Sequence, residues 1–256
     1  MKVASFYRFL DLADPGEFRD QLQSFCDERN VLGTILVAAE GFNGTICGPE
    51  EAILDVFSWI EHRLALQTPI EARWTDAGEA PFRRMRVRVK KEIVTLGRPD
   101  ILPHRKTGTY VPPDEWNALI ENPDVLVVDT RNHYEVEVGS FPRAIDPGTD
   151  SFRQFPEFAR QLAEKSKDRP LAMFCTGGIR CEKAGPYLQQ SGFGDVYQLE
   201  GGILNYFEEC GGAHYQGDCF VFDKRTALNA ELQETSTTLC YACQSPLTLQ
   251  EQQSPY

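Results

Sequence analysis

The sequence predicts an α/β protein of two domains: an α+β domain in the split βαβ, ferredoxin-like order, then a domain whose parallel sheet is flanked by helices. Three observations carry that expectation. Residues 1–96 read strand, helix, strand, strand, helix, strand, with a basic strand at the end. Residues 121–215 alternate short apolar strands with helices, the order that lays parallel strands between helical layers. Between them, residues 97–110 are rich in Gly, Pro, Arg and Lys without apolar periodicity, so 97–120 reads as a linker and lead-in helix.

Taken in order, residues 5–9 form the first strand. Asp14-Pro-Gly-Glu17 is a helix start, with an acidic N-cap, proline at the first helical position and a carboxylate at the third. Phe18, Leu22 and Phe25 give that helix one apolar stripe. Residues 34–39 are a nearly continuous apolar strand, and Gly41-Phe-Asn-Gly44 is the expected turn into its antiparallel partner, 45–47. The helix after Pro49 carries Ile53, Val56, Phe57 and Ile60, and residues 70–75 follow as a strand. Arg84, Arg86, Arg88 and Lys90 then alternate with Met85, Val87 and Val89, which at period two gives a strand with one basic and one apolar face. In the second domain, residues 113–120, 155–165 and 181–190 are helical, as is the chain after Gly201-Gly202. Its strands are 125–129, 171–174 and 196–199. Residues 216–256 are read as a flexible tail bearing half of a CxxC-type site.

The 256 residues suffice for two cores, and the formal charge of −12 opposes general association with polyanions or anionic membranes. The start, Met1-Lys-Val-Ala-Ser-Phe-Tyr-Arg8, lacks an apolar run of signal-peptide length, and no stretch is long enough to span a bilayer. The expectation is a cytoplasmic protein, where eight irregularly spaced cysteines serve catalysis or metal binding rather than a disulfide framework.

Chemistry concentrates at Cys175, which ends an apolar strand and precedes a helix, the place where open α/β sheets put catalytic groups. In the loop Cys175, Thr176, Gly177, Gly178, Ile179, Arg180, the glycines free the backbone to turn its N–H groups inward as an anion nest. The helix start and the Arg180 charge also favour thiolate over thiol. A lone cysteine after a core strand is more often a small buried residue, but here the whole loop is specified. Arg180 lies five residues after Cys175, one fewer than in cysteine phosphatases, a narrower pocket suited to a persulfide or thiosulfonate.

With Val127-Val-Asp129-Thr-Arg131-Asn, Glu135, Gly139, Phe141-Pro-Arg-Ala-Ile145 and Leu199-Glu-Gly-Gly-Ile203, this loop resembles the rhodanese superfamily. The resemblance implies that Asp129 and Arg131 mostly brace the fold and the loop. Over residues 1–224, Ala39-Glu-Gly-Phe-Asn-Gly-Thr45, Lys90-Lys-Glu-Ile-Val-Thr-Leu-Gly97, Gly108-Thr-Tyr-Val-Pro-Pro-Asp-Glu-Trp116 and Cys175–Ala184 together resemble the bacterial, UPF0176-type tRNA uridine hydroxylase family, with an acylphosphatase-like first domain. That resemblance implies an oxidoreductase that converts the wobble uridine of tRNA to 5-hydroxyuridine with molecular oxygen as co-substrate. Cys175 is its persulfide-type cysteine. Phe42 departs from the pattern, where a smaller aliphatic residue is usual, and bears on packing more than on chemistry.

Other features keep two readings. Cys181, six residues after Cys175, is either a resolving thiol or a core residue, and its place in the matching motif favours the first. The basic face of Arg84, Arg86, Arg88 and Lys90 is either a solvated strand edge or a tRNA phosphate contact, extended by Arg105 and Lys106. Cys240 and Cys243 have zinc-ligand spacing without a second pair, and Cys210, Cys219 and His214 are the residues that could complete a site. The four histidines show no two-histidine-plus-carboxylate spacing and no dinucleotide fingerprint appears, so no cofactor is evident from the residues. The implied partner is tRNA, with neither DNA nor membrane. The competing enzymatic reading is a sulfurtransferase carrying a persulfide on Cys175, and a non-enzymatic one is a regulatory module sensing anions or redox state.

Overall fold

The computed structural model describes residues 1–253. It divides the chain into a first unit, Met1–Thr95, and a second unit from Leu96 onward.

In the first unit the elements are β1 (Lys2–Phe9), α1 (Pro15–Glu28), β2 (Leu32–Ala38), β3 (Gly41–Gly48), α2 (Glu50–Leu64), β4 (Ala72–Asp76) and β5 (Met85–Val89). The sheet order is β4-β1-β3-β2-β5, a four-stranded antiparallel split βαβ core with β5 added parallel to β2 at the edge. Helix α1 begins where the sequence signals it, with Asp14 Oδ1 accepting the Glu17 N–H at 2.8 Å. Phe18, Leu22, Ile53, Val56, Phe57 and Ile60 bring the helices' apolar stripes onto one core with Phe6, Ile35 and Ile46. Phe42 is fully buried there, its ring 6.0 Å from Phe6 and 6.5 Å from Phe18, so the larger side chain fills core volume.

One expected turn is a strand. The hairpin reverses at Ala39 and Glu40, and Gly41–Gly48 pairs with β2 from Ala38↔Gly41 onward. Gly41 is glycine because its φ is +131° and a Cβ would strike the Arg8 carbonyl of β1. A glycine required by a neighbouring backbone reads in sequence like one required by a turn.

The second unit comprises β6 (Thr109–Val111), α3 (Pro113–Glu121), β7 (Leu126–Asp129), α4 (His133–Val136), β8 (Gly139–Ser140), α5 (Phe155–Ser166), β9 (Leu171–Phe174), α6 (Ile179–Gln190), β10 (Val196–Leu199) and α7 (Gly202–Cys210). A parallel sheet runs β6-β10-β9-β7, with α3 packed on α7 and α5 on α6. Strand β6 arises in the stretch read as linker. It has three residues, of which Thr109 and Tyr110 are exposed, so it carries no apolar periodicity to read.

The segment after residue 215 is not a free tail. β11 (Gln216–Gly217) pairs with β8, and β12 (Cys219–Phe220) pairs with β13 (Ala227–Leu228). Cys219, Val221 and Leu228 join Trp116, Phe141 and Phe174 in the core. Two-residue strands are too short to show a period, which is why they escape a reading by pattern. Beyond them β14 (Thr238–Leu239) and β15 (Pro246–Leu247) form a hairpin that holds Cys240 and Cys243 in its turn, followed by α8 (Leu249–Gln252).

Replacing the α1 cap, Asp14→Ala, is expected to destabilise the first unit by about 1 kcal/mol while leaving the second unit's unfolding unchanged. Differential scanning calorimetry of both chains checks this, and an unshifted first transition refutes it.

Candidate active site

Cys175 sits immediately after β9, only 1% exposed, with the loop residues Thr176, Gly177 and Ile179 half-buried around it. The chain then turns through Gly178, which has φ +94° and caps α6. Its N–H donates to Cys175 Sγ at 3.1 Å. Helix α6 starts at Ile179, two residues earlier than the sequence suggests, so Arg180 and Cys181 belong to its first turn. Gly177 meets open space where a side chain would stand, so packing does not demand glycine there.

A second helix secures the same loop. The first N–H groups of α7 point at it, Ile203 donating to the Cys175 carbonyl at 2.9 Å and Leu204 to the Thr176 carbonyl at 3.1 Å. Gly202 lets this approach occur: its φ is +69°, and a Cβ would run into the Cys175 and Thr176 carbonyls and the Gly178 nitrogen. The Gly201-Gly202 turn was legible as a helix start, and its bracing of the Cys175 loop was not.

Burial opposes ionisation of Cys175, and four groups outweigh it. They are the Cys181 thiol, the Arg180 charge, and the backbone N–H groups of Arg180 and Cys181. The balance lowers the Cys175 thiol from 9.0 to about 6. Cys181 moves the other way, its thiol raised by burial and by the neighbouring sulfur. The pair therefore holds one proton on Cys181, which donates to the Cys175 thiolate, while Thr130 Oγ1 lies 3.7 Å from Cys181 Sγ.

The Arg180 guanidinium is not a spare cation. Its Nη1 and Nη2 each donate to Glu135 at 2.8 Å, a bidentate pair that is almost wholly buried. Glu135 was part of the sequence motif but not among the candidate site residues. Asp129 and Arg131 form a second such pair: Arg131 Nε and Nη2 reach the carboxylate at 2.9 and 2.6 Å, and Nη2 also donates to the Gly139 carbonyl at 2.6 Å. Ser140 Oγ completes that carboxylate at 2.8 Å. Both side chains are fully buried and tie β7 to β8.

The remaining candidates lie elsewhere. Arg84, Arg88 and Lys90 are exposed and Arg86 is half-buried, on and beside the edge strand β5 of the first unit, with Met85 and Val87 turned to the core. Among the described residues no group of three or more His, Cys, Asp or Glu is placed to hold a metal. Cys219, expected as a possible partner of Cys240 and Cys243, is a fully buried core residue. No helix among the described residues is long and apolar enough to cross a membrane.

Because the thiolate is the nucleophile, carboxamidomethylation of Cys175 by iodoacetamide is expected to rise with pH around 6 rather than around 9. Cys181→Ala should move that midpoint upward by removing a donor, and Cys181→Ser should hold it; peptide mass spectrometry across pH 4–10 reads both at about single-unit steps. Gly202→Ala puts a side chain at positive φ against the loop and should slow alkylation and cost about 1–2 kcal/mol of stability. An unchanged rate and melting temperature would show that the loop does not depend on this contact.

Residues 1–93 match the family described as the UPF0176 acylphosphatase like domain, and residues 112–209 match the rhodanese-like domain. A solved rhodanese-like domain protein from Staphylococcus aureus shares 29% identity over 38% of this chain and 90% of its own, with a TM-score of 0.32. Full-length likeness is stronger. The tRNA uridine(34) hydroxylase of Mesorhizobium japonicum is 48% identical over 100% of this chain and 83% of its own length. That of Sinorhizobium medicae is 46% identical over 99% of this chain and 81% of its own. Identity at this level across both units places the acylphosphatase-like domain and the rhodanese domain in one lineage, and the chain belongs to the tRNA uridine(34) hydroxylase family.

Proposed function

We propose that this chain is an oxygen-dependent tRNA hydroxylase that converts uridine at the wobble position to 5-hydroxyuridine, with Cys175 as its reactive centre. Family membership supports the reaction, and the observation that carries the reading at the site is the charge balance around the sulfur. Both guanidiniums that bear on the region are already matched, Arg180 by Glu135 and Arg131 by Asp129. A thiolate facing matched ion pairs suits an uncharged reactant such as a pyrimidine ring or dioxygen. It disfavours phosphate monoesters and thiosulfate, whose charge calls for an unmatched cation. The sulfurtransferase reading loses ground on the same observation.

The chemistry replaces C5–H of uracil with C5–OH. With dioxygen as oxidant, the second oxygen atom leaves as water, and two electrons and two protons are consumed. Oxidation of the Cys175 thiolate and the Cys181 thiol to a disulfide supplies two electrons and one proton, solvent supplies the second proton, and an external dithiol restores the pair. Cys181 stands in hydrogen-bonding contact with Cys175, which fits it for this role. The exposed cations Arg84, Arg88 and Lys90 offer phosphate contacts on the first unit and set a salt-dependent contribution to tRNA affinity.

Expression in a strain whose tRNA contains no 5-hydroxyuridine should produce the nucleoside, as read by mass spectrometry of digested tRNA. Cys175→Ser should produce none. Equal amounts with the variant, or none with the wild type, overturn the reading.

A further inference from the structure

One solvent-exposed aromatic side chain touches the reactive loop. Phe222 is 61% exposed, yet the Arg180 guanidinium carbon lies 5.7 Å from its ring centroid. Its ring meets Phe220 edge-on at 5.2 Å, and Phe220 meets Tyr134 edge-on at 5.4 Å, a ladder of rings beside the loop.

The turn that carries Phe222 is built firmly. Val221 N–H donates to the Thr226 carbonyl at 2.8 Å, and Thr226 N–H to the Asp223 carbonyl at 3.1 Å. Arg225 grips Asp223 through Nε at 2.9 Å and Nη2 at 2.6 Å, with side chains 4% and 2% exposed. Thr226 holds φ +61°, the left-handed region that a β-branched residue enters only when its surroundings impose it. Desolvating an ion pair and straining a threonine are both unfavourable. Val221 and Leu228 on either side anchor the turn in the core, while the Phe222 side chain it presents points largely into water.

We propose that Phe222 is a stacking platform for the base of the wobble nucleotide as it leaves the anticodon loop and approaches Cys175. This rests on the tRNA hydroxylase reading and adds the residue that captures the base. Bases in single-stranded loops are held on aromatic faces because stacking uses the π surface and leaves the ring edges free for chemistry. Uracil must offer its C5 edge, so a partner with no hydrogen-bonding group suits it. Phe222 meets that requirement, and its contact with Arg180 ties the platform to the turn of α6 beside the sulfur.

The test uses the full chain and synthetic tRNA anticodon stem-loops with either uridine or an abasic site at the wobble position, titrated by fluorescence anisotropy. Wild type should bind the uridine stem-loop roughly ten-fold tighter than the abasic one, the scale of one base–aromatic stack. Phe222→Ala should erase that difference, with iodoacetamide reactivity of Cys175 and melting temperature unchanged. Phe222→Trp should restore it, and its indole fluorescence should be quenched by the uridine stem-loop and not by the abasic one. A wild type that does not discriminate, or a Phe222→Ala variant that still does, overturns the proposal. Failure of hydroxylation itself is read separately, by the nucleoside analysis of the wild type.

Discussion

The proposed reactive centre at Cys175 depends on a loop held between two helix starts. Helix α6 turns the Gly178, Arg180 and Cys181 N–H groups toward the sulfur, while α7 turns those of Ile203 and Leu204 toward the Cys175 and Thr176 carbonyls. The sulfur side of the loop thus gains positive potential, and the carbonyls of Cys175 and Thr176 are held by α7. The Gly201-Gly202 turn, far from Cys175 in sequence, is therefore as much a part of the centre as the loop.

The buried ion pairs of Asp129 with Arg131 and of Glu135 with Arg180 have different work. Asp129 and Arg131 join the end of β7 to the short β8 and close the Gly139 and Ser140 groups. Glu135 and Arg180 join α4 to α6 and tune the field at the sulfur directly, since the carboxylate offsets the charge that favours the thiolate. Removing one partner of such a pair leaves a charge buried without compensation, which is more damaging than never having had the pair.

Much of this was legible in the residues. The strand–Cys175–helix junction shows itself because an apolar run, glycines and a helix start coincide, and the first domain because its apolar periods switch between two and 3.6 in the split βαβ order. What stayed hidden has physical reasons. Glu135 and Arg180 meet only through the fold, since they are 45 residues apart. Gly41 looked like a turn because sequence does not distinguish the two needs for a missing Cβ. Strands β6, β11, β12 and β13 have two or three residues each, shorter than any period that could announce them. Phe222 carried no motif at all and is notable only for its place in space.

Strand β6 also sets the true beginning of the second unit's sheet. Its Tyr110 hydroxyl reaches Glu182 at 2.8 Å, and Thr107 Oγ1, just before the strand, reaches the same carboxylate at 2.8 Å. Glu182 is 5% exposed and lies one residue after Cys181. A fragment trimmed to the recognisable rhodanese match at residue 112 would strip that carboxylate of two donors and uncover the edge of β10. The naked edge is an invitation to self-association, so excising the second unit cleanly requires keeping a few residues that look like mere tether.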